Sequence, residues 1–171
     1  MTSSSTSMIL PLRGEEAARR AAQQILESLG YDRPPIDPQV IADTFGIGTL
    51  FVEFTGTLTD KIAGFFDPEG NDIVVNRSLD AREKLFVIAH QLGLHLLHRS
   101  YLESDRYRAL KRPIVPGAWR TDEQGEAAAF AHELLVPGPA LRHFRPIASL
   151  PELSQIFCVP EAMILSQAIR L

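Results

Sequence analysis

The chain has 171 residues, 45% of them hydrophobic and 22% charged, and a formal net charge of −4. That balance describes one globular domain with a real core, and it argues against a disordered chain or one that holds nucleic acid on a broad basic face. A lone cysteine, Cys158, excludes an intrachain disulfide and a cysteine-cluster metal site, which fits a reducing, cytoplasmic setting. The opening stretch MTSSSTSMILPL lacks a basic segment and has only a short apolar patch, so neither a signal peptide nor a membrane span is expected there. Residues 1–14 are expected as a disordered tail and 15–171 as a single domain.

In chain order, residues 15–29 predict a helix: Ala17, Ala21, Ile25 and Leu29 recur every fourth position and Gly30 follows as a stop. Pro34 and Pro35 impose an extended link. Asp37 and Pro38 open a second helix, as a capping acid and a first-turn proline, which ends near Phe45 and Gly46. Residues 49–54 alternate weakly as a strand. Residues 62–66 and 73–75 flank the turn cluster Asp67-Pro68-Glu69-Gly70-Asn71, which predicts a β-hairpin. Ser78 or Asp80 caps a helix over residues 80–99, whose stripe of Leu85, Ile88, Ala89, Leu92 and Leu96 marks it as central and buried. Residues 101–120 read as a long irregular connection, a length more often functional than accidental. Its Arg106, Arg108, Lys111, Arg112 and Arg120 read as a solvated basic segment, with a partner or acidic-peptide contact as the alternative. Thr121 and Gln124 make a capping-box pattern for a helix that ends near Leu135, before Pro137-Gly138-Pro139. Two short helices, 151–157 and 160–169, close the chain.

The helix over 80–99 carries the chemistry. A zinc-peptidase helix needs H-E-x-x-H, with two histidine ligands one turn apart and a glutamate beside the first as general base. Here His90 stands at the first ligand position, Gln91 at the base and Leu94 at the second ligand. Gln91 cannot accept a proton from an attacking water. His95 is one position late: at about 100° per residue it points roughly 140° from His90 in a regular helix. A π-bulge near Gly93 would bring it into line as a substitute ligand. His98 lies roughly 12 Å along the helix from His90, too far to share one ion. Set beside that reading, His90 can equally be a buried histidine bonded to Glu126, and Glu126 a helix N-terminal acid favoured by the dipole. His95 and His98 then count as ordinary helix histidines. His132 falls on the wrong side of the Glu126 helix, and only a rearrangement would bring His132 or His143 into a metal site.

Several motifs occur in a fixed order: a second helix ending Phe-Gly-Ile, a hairpin ending Val-Val-Asn, then Ala89-His90-Gln91-Leu92-Gly93, then Glu126-Ala-Ala-Ala-Phe130-Ala131-His-Glu-Leu134-Leu135-Val-Pro137. In this the chain resembles the ImmA/IrrE family of metallopeptidases, over about residues 15–171. The resemblance implies a compact α+β, zincin-like domain: a small antiparallel-containing sheet packed on the central motif helix, with further helices at the C-terminal end. It implies zinc held by two histidines of the first motif and the glutamate that opens the second. Carried over, His90 takes the first ligand position and Glu126 the third, while Leu94 and Gln91 replace the second ligand and the base. The family's asparagine two residues beyond the third ligand is Ala128. Family members cleave helix-turn-helix repressors during stress or phage induction, and others are encoded beside such a repressor as toxin-like partners.

The expectation is therefore a catalytically impaired or inactive relative, with zinc weak or absent, that binds a protein such as a helix-turn-helix repressor or an antitoxin. The hairpin's edge strand, residues 73–75 or its neighbour, is a candidate for pairing with a peptide. The alternative is an active zinc-dependent endopeptidase that cleaves such a repressor, drawing on Glu133, His95 or a substrate group. A third reading takes residues 153–171 as a helix-turn-helix, on the spacing of Ile156, Val159 and Ile164. The helix from Glu161 offers only Arg170 as a cation, too little to neutralise phosphates, so core packing is the better account and no direct nucleic-acid contact is expected.

Overall fold

The computed structural model describes residues 13–55, 62–109 and 121–171. Three helices form its spine: α1 (Glu15–Leu29), α3 (Ala81–Leu97) and α6 (Asp122–Leu135). Between α1 and α3 come α2 (Pro38–Thr44) and the strands β1 (Gly48–Val52), β2 (Gly64–Asp67) and β3 (Asp72–Asn76). After α3 come α4 (Arg99–Leu102) and α5 (Asp105–Ala109), and after α6 come α7 (Gly138–Phe144), α8 (Leu150–Phe157) and α9 (Glu161–Ala168). This is the α+β architecture expected from the sequence.

The local signals explain most boundaries. Asp37 accepts from the Gln39 amide at the start of α2. Asp80, not Ser78, starts α3: its carboxylate accepts from the Glu83 amide while the Glu83 carboxylate accepts from the Asp80 amide. Such a cap contributes about 1 kcal/mol. Thr121 Oγ1 accepts from the Gln124 amide at the start of α6. Gly30 ends α1 with φ 74°, a left-handed conformation that glycine adopts without steric cost.

The sheet order is β1-β3-β2, with β2 antiparallel to β3 and β1 parallel to it. The predicted hairpin is thus β2–β3, but β3 is central. Residues 73–75 are bonded on both sides and buried, so they are no edge for a peptide; the outer strands are β1 and β2. The reason is the added parallel strand, which pattern reading of a hairpin does not reveal. The sheet packs on α3, and α3 and α1 both lie along α6.

On α3 the buried run is continuous from Phe86 to Leu94 rather than a stripe, because the sheet, α2 and α6 enclose it from several sides. Gly93 sets the spacing of α3 and α6. A Cβ there would lie 2.8 Å from Phe130 Cδ1 and 3.2 Å from the Ala127 carbonyl, so only glycine lets the helices approach this closely.

Three expectations need correction. Residues 101–109 form the short helices α4 and α5 instead of irregular chain; Tyr101, Leu102 and Tyr107 are buried and pull this segment onto the core. The rest of that predicted loop, with Lys111, Arg112 and Arg120, lies outside the described residues. Pro137-Gly138-Pro139 ends α6 but also begins α7, which was not expected, because proline is tolerated in a first helical turn. Gly14, placed with the tail, is the N-cap of α1. The C-terminal pair α8 and α9 does turn sharply at Cys158, yet Val159 and Ile164 are buried in the common core.

Candidate functional site

The motif residues sit where α3 passes α6, and each has a protein partner. His90 is fully buried. Its Nε2 lies 3.2 Å from the Gln124 carbonyl, so the nitrogen that bonds is the one that carries hydrogen. Burial pushes its pKa down to about 4, against the upward pull of the Gln124 carbonyl, and nearby His132 lowers it further. His90 is therefore neutral at pH 7 and donates toward its own fold.

Glu126 does not bond His90, contrary to the simpler expectation for a buried histidine. Its Oε1 accepts from the Gly14 amide at 3.0 Å, and its Oε2 lies 3.0 Å from His98 Nε2, outside in-line hydrogen-bond geometry. His98 reaches it as the C-cap of α3, with φ −137° and ψ 46°, eight positions beyond His90 on the same helix. Both side chains are mostly covered, at 18% and 16% exposure.

Gln91 is buried, and its Oε1 lies 3.3 Å from the Tyr107 hydroxyl. Tyr107 from α5 also accepts from the Phe66 amide at 2.7 Å, and burial raises its pKa. The position of the base is thus an amide tied through a tyrosine to strand β2. Leu94 is buried at 1% exposure and supplies no donor atom. No π-bulge occurs: α3 is regular through Gly93, and His95 faces the other way, with its ring 4.8 Å from Phe66. Its Nδ1 is buried without a hydrogen-bond partner among the described residues, and burial and then Arg99 lower its pKa. His95 is not positioned as a substitute ligand.

His132 is nearer than its helical position suggested. The Phe86 ring stands 5.9 Å from the His90 ring and 5.8 Å from the His132 ring, and burial, then Arg19 and Arg170, push the His132 pKa down to about 4. His143 packs on Phe144 in α7. Glu133, considered for an unusual catalytic role, is buried and accepts from Gln23 Nε2, the Gly138 amide and Gln167 Nε2. Its carboxylate faces α1, α7 and α9 and not His90.

Among the described residues, these positions do not assemble a zinc site. A tetrahedral site needs three or four donors converging within about 2.3 Å of one point. Among the described residues no three His, Cys, Asp or Glu side chains converge in that way. Leu94 offers no donor atom, the His95 ring packs on Phe66, and Glu126 Oε1 accepts from the Gly14 amide, so His90 and Glu126 are not joined by a third ligand among the described residues. Chemically, the hydrogen bonds His90–Gln124, Gln91–Tyr107 and Gly14–Glu126 fasten α3, α5, α6 and the start of α1 to one another. The sequence carried no signal for Tyr107, which lies sixteen positions from Gln91 in a segment read as irregular. His98 could have been found only by seeing that the helix stops at Leu97.

With this geometry in hand, comparison with known proteins settles the lineage. Residues 42–166 match the family described as the IrrE N-terminal-like domain, Peptidase_M78. The chain belongs to that family. Among solved structures it is similar to a Mycobacterium tuberculosis transcriptional regulator, with 19% identity, a TM-score of 0.60 and 88% of this chain covered. The likeness shows a shared fold, and it spans 46% of that protein's length. No curated protein matches the chain. No helix among the described residues is long and apolar enough to cross a membrane.

Proposed function

We propose that this chain is a catalytically silent member of the IrrE-type peptidase family that acts by binding a protein partner in transcriptional regulation. The observation that carries the reading is that, among the described residues, no three His, Cys, Asp or Glu side chains converge at the motif. Leu94 stands buried in the place of a ligand, the His95 ring packs on Phe66, and Glu126 Oε1 accepts from the Gly14 amide. With Gln91 at the base, neither metal activation of water nor proton abstraction has the groups it needs. The similarity to a transcriptional regulator supports a regulatory setting, and the family resemblance points to a helix-turn-helix repressor or an antitoxin as the class of partner.

The test is metal content by inductively coupled plasma mass spectrometry on untagged protein and on Glu126→Ala. The expected result is zinc near background in both. Near-stoichiometric zinc that disappears in Glu126→Ala would overturn the proposal in favour of a zinc-dependent endopeptidase. Loss of an intact candidate repressor on incubation, blocked by a chelator, would do the same. Stable co-purification of such a repressor, uncleaved, is the positive outcome.

A further inference from the structure

On the far side of α6, between α1 and α9, lies a cleft of about 370 Å³. That volume is within the range of small-molecule sites, roughly 300–1,000 Å³. Its wall holds two guanidinium groups, Arg19 from α1 and Arg170 just beyond α9, together with the His132 imidazole, the Ser166 hydroxyl and, at the rim, the Glu15 carboxylate. Arg19 is the informative one. It is 8% exposed, and its Nε is buried without a hydrogen-bond partner among the described residues. An arginine hydrogen left unsatisfied in a covered position is costly, and native folds seldom leave one without a purpose.

The rest of Arg19 is held rather than loose. One terminal nitrogen donates to Gln167 Oε1 at 2.8 Å, and Gln167 in turn donates to buried Glu133 at 2.7 Å. This chain of bonds fixes the plane of the guanidinium. Acidic neighbours do not saturate the two arginines: Glu15 lies 3.9 Å from each, and Glu16 lies 3.9 Å from Arg170, all beyond hydrogen-bond length. Glu15 and Glu16 are also more than half exposed, where such pairs are worth little. Burial, and then the charge of Arg170, disfavour the Arg19 cation, while Glu133, Glu15 and Glu16 favour it without any of the three making a hydrogen bond to it. Ala128, Ala129 and Ile169 supply a small apolar wall beside them.

We propose that this cleft binds a small organic oxyanion, a carboxylate or phosphate group on a short apolar body, clamped between Arg19 and Arg170. Charge-assisted, fork-shaped pairing is the chemistry that planar guanidinium groups offer to such anions. The two guanidinium groups are not among the motif residues, so the proposal does not depend on whether the motif is catalytically silent, although His132 in the cleft wall flanks the same Phe86 ring as His90.

The test is isothermal titration calorimetry on the full chain with inorganic phosphate and, separately, with hexanoate. The expected result is saturable one-site binding of at least one of them, weakened at least about tenfold in Arg19→Lys and in Arg170→Ala, as for loss of a charge-assisted pair. Phosphate binding alone assigns the phosphate class, and hexanoate binding alone assigns the carboxylate class. Arg170→Ala stands at the exposed rim and keeps the test decisive if Arg19→Lys fails to fold. Gly125→Leu, where an added Cβ meets nothing within 4 Å, puts an apolar side chain into the cleft while leaving both arginines in the sequence and is expected to abolish binding. Absence of saturable heat with both anions, or binding that all three substitutions leave intact, would overturn the proposal.

Discussion

Helix α6 separates two polar neighbourhoods that treat their charged groups differently. Toward α3, His90, Gln91 and Glu126 are engaged by Gln124, Tyr107, His98 and Gly14, so polarity there serves cohesion. Toward α1 and α9, Arg19 is oriented by the Gln167–Glu133 relay, yet it retains an unused buried hydrogen beside a second arginine and an open cleft. The inherited motif marks the first face, while the capacity to recognise a ligand lies on the second. The motif residues and the proposed cleft can therefore be probed by separate substitutions.

The contrast can be broken most forcefully at Glu133, which anchors the second face. Glu133→Ala removes the acceptor of half-buried Gln23 and of the buried Gly138 amide, and leaves Gln167 Nε2 with only the Val136 carbonyl. The expected loss is about 3–5 kcal/mol in urea unfolding, as for removal of one partner from a buried network. Glu133→Gln, which keeps an oxygen, should lose clearly less. Equal losses in both would mean that the negative charge matters and the relay geometry does not.

Acid is the next lever, and it acts on both faces. Burial pushes the pKa of His90 and of His132 down to about 4, below the ordinary histidine value near 6.5. The unfolded chain then binds protons that the folded chain refuses. Stability from these groups is intact above about pH 6.5 and falls as the pH drops toward 4, by up to about 1.4 kcal/mol per unit for each histidine. His90→Gln should remove about half of that slope in unfolding measured at pH 7.5, 6.5 and 5.5. An unchanged slope would show that His90 is not buried as a neutral ring.

A smaller effect sharpens the first face. Gly93→Ala places a methyl group 2.8 Å from Phe130 and should destabilise by about 1–3 kcal/mol, despite alanine's better helix propensity. A gain in melting temperature would mean that α3 and α6 are not in close contact there. The least effect is expected at its rim. Arg106 lies 3.6 Å from Glu123 with 66% of its side chain exposed, so Arg106→Ala should change unfolding by less than about 0.5 kcal/mol.

The division between what was legible and what was not follows the range of the forces involved. Helix caps at Asp37, Asp80 and Thr121, the turn at 67–71 and the stop at Gly30 are local contests between side chain and backbone, so the sequence by itself determined α1, α2, α3, α6 and the β2–β3 hairpin. The lineage was equally legible, because the spacing of Ala89-His90 and Glu126-Phe130 survives changes in the ligands between them. The tertiary structure alone decided which polar groups meet. Glu126 could take His98 rather than His90 only because the chain turns at the end of α3, and Gln91 could take Tyr107 only because a supposed loop coils into α5. It also decided that β3 is central, and that Arg19, 148 positions from Gln167, is held in a cleft with Arg170. Such pairings rest on packing between elements distant in the chain, and neither helical nor strand periodicity records them.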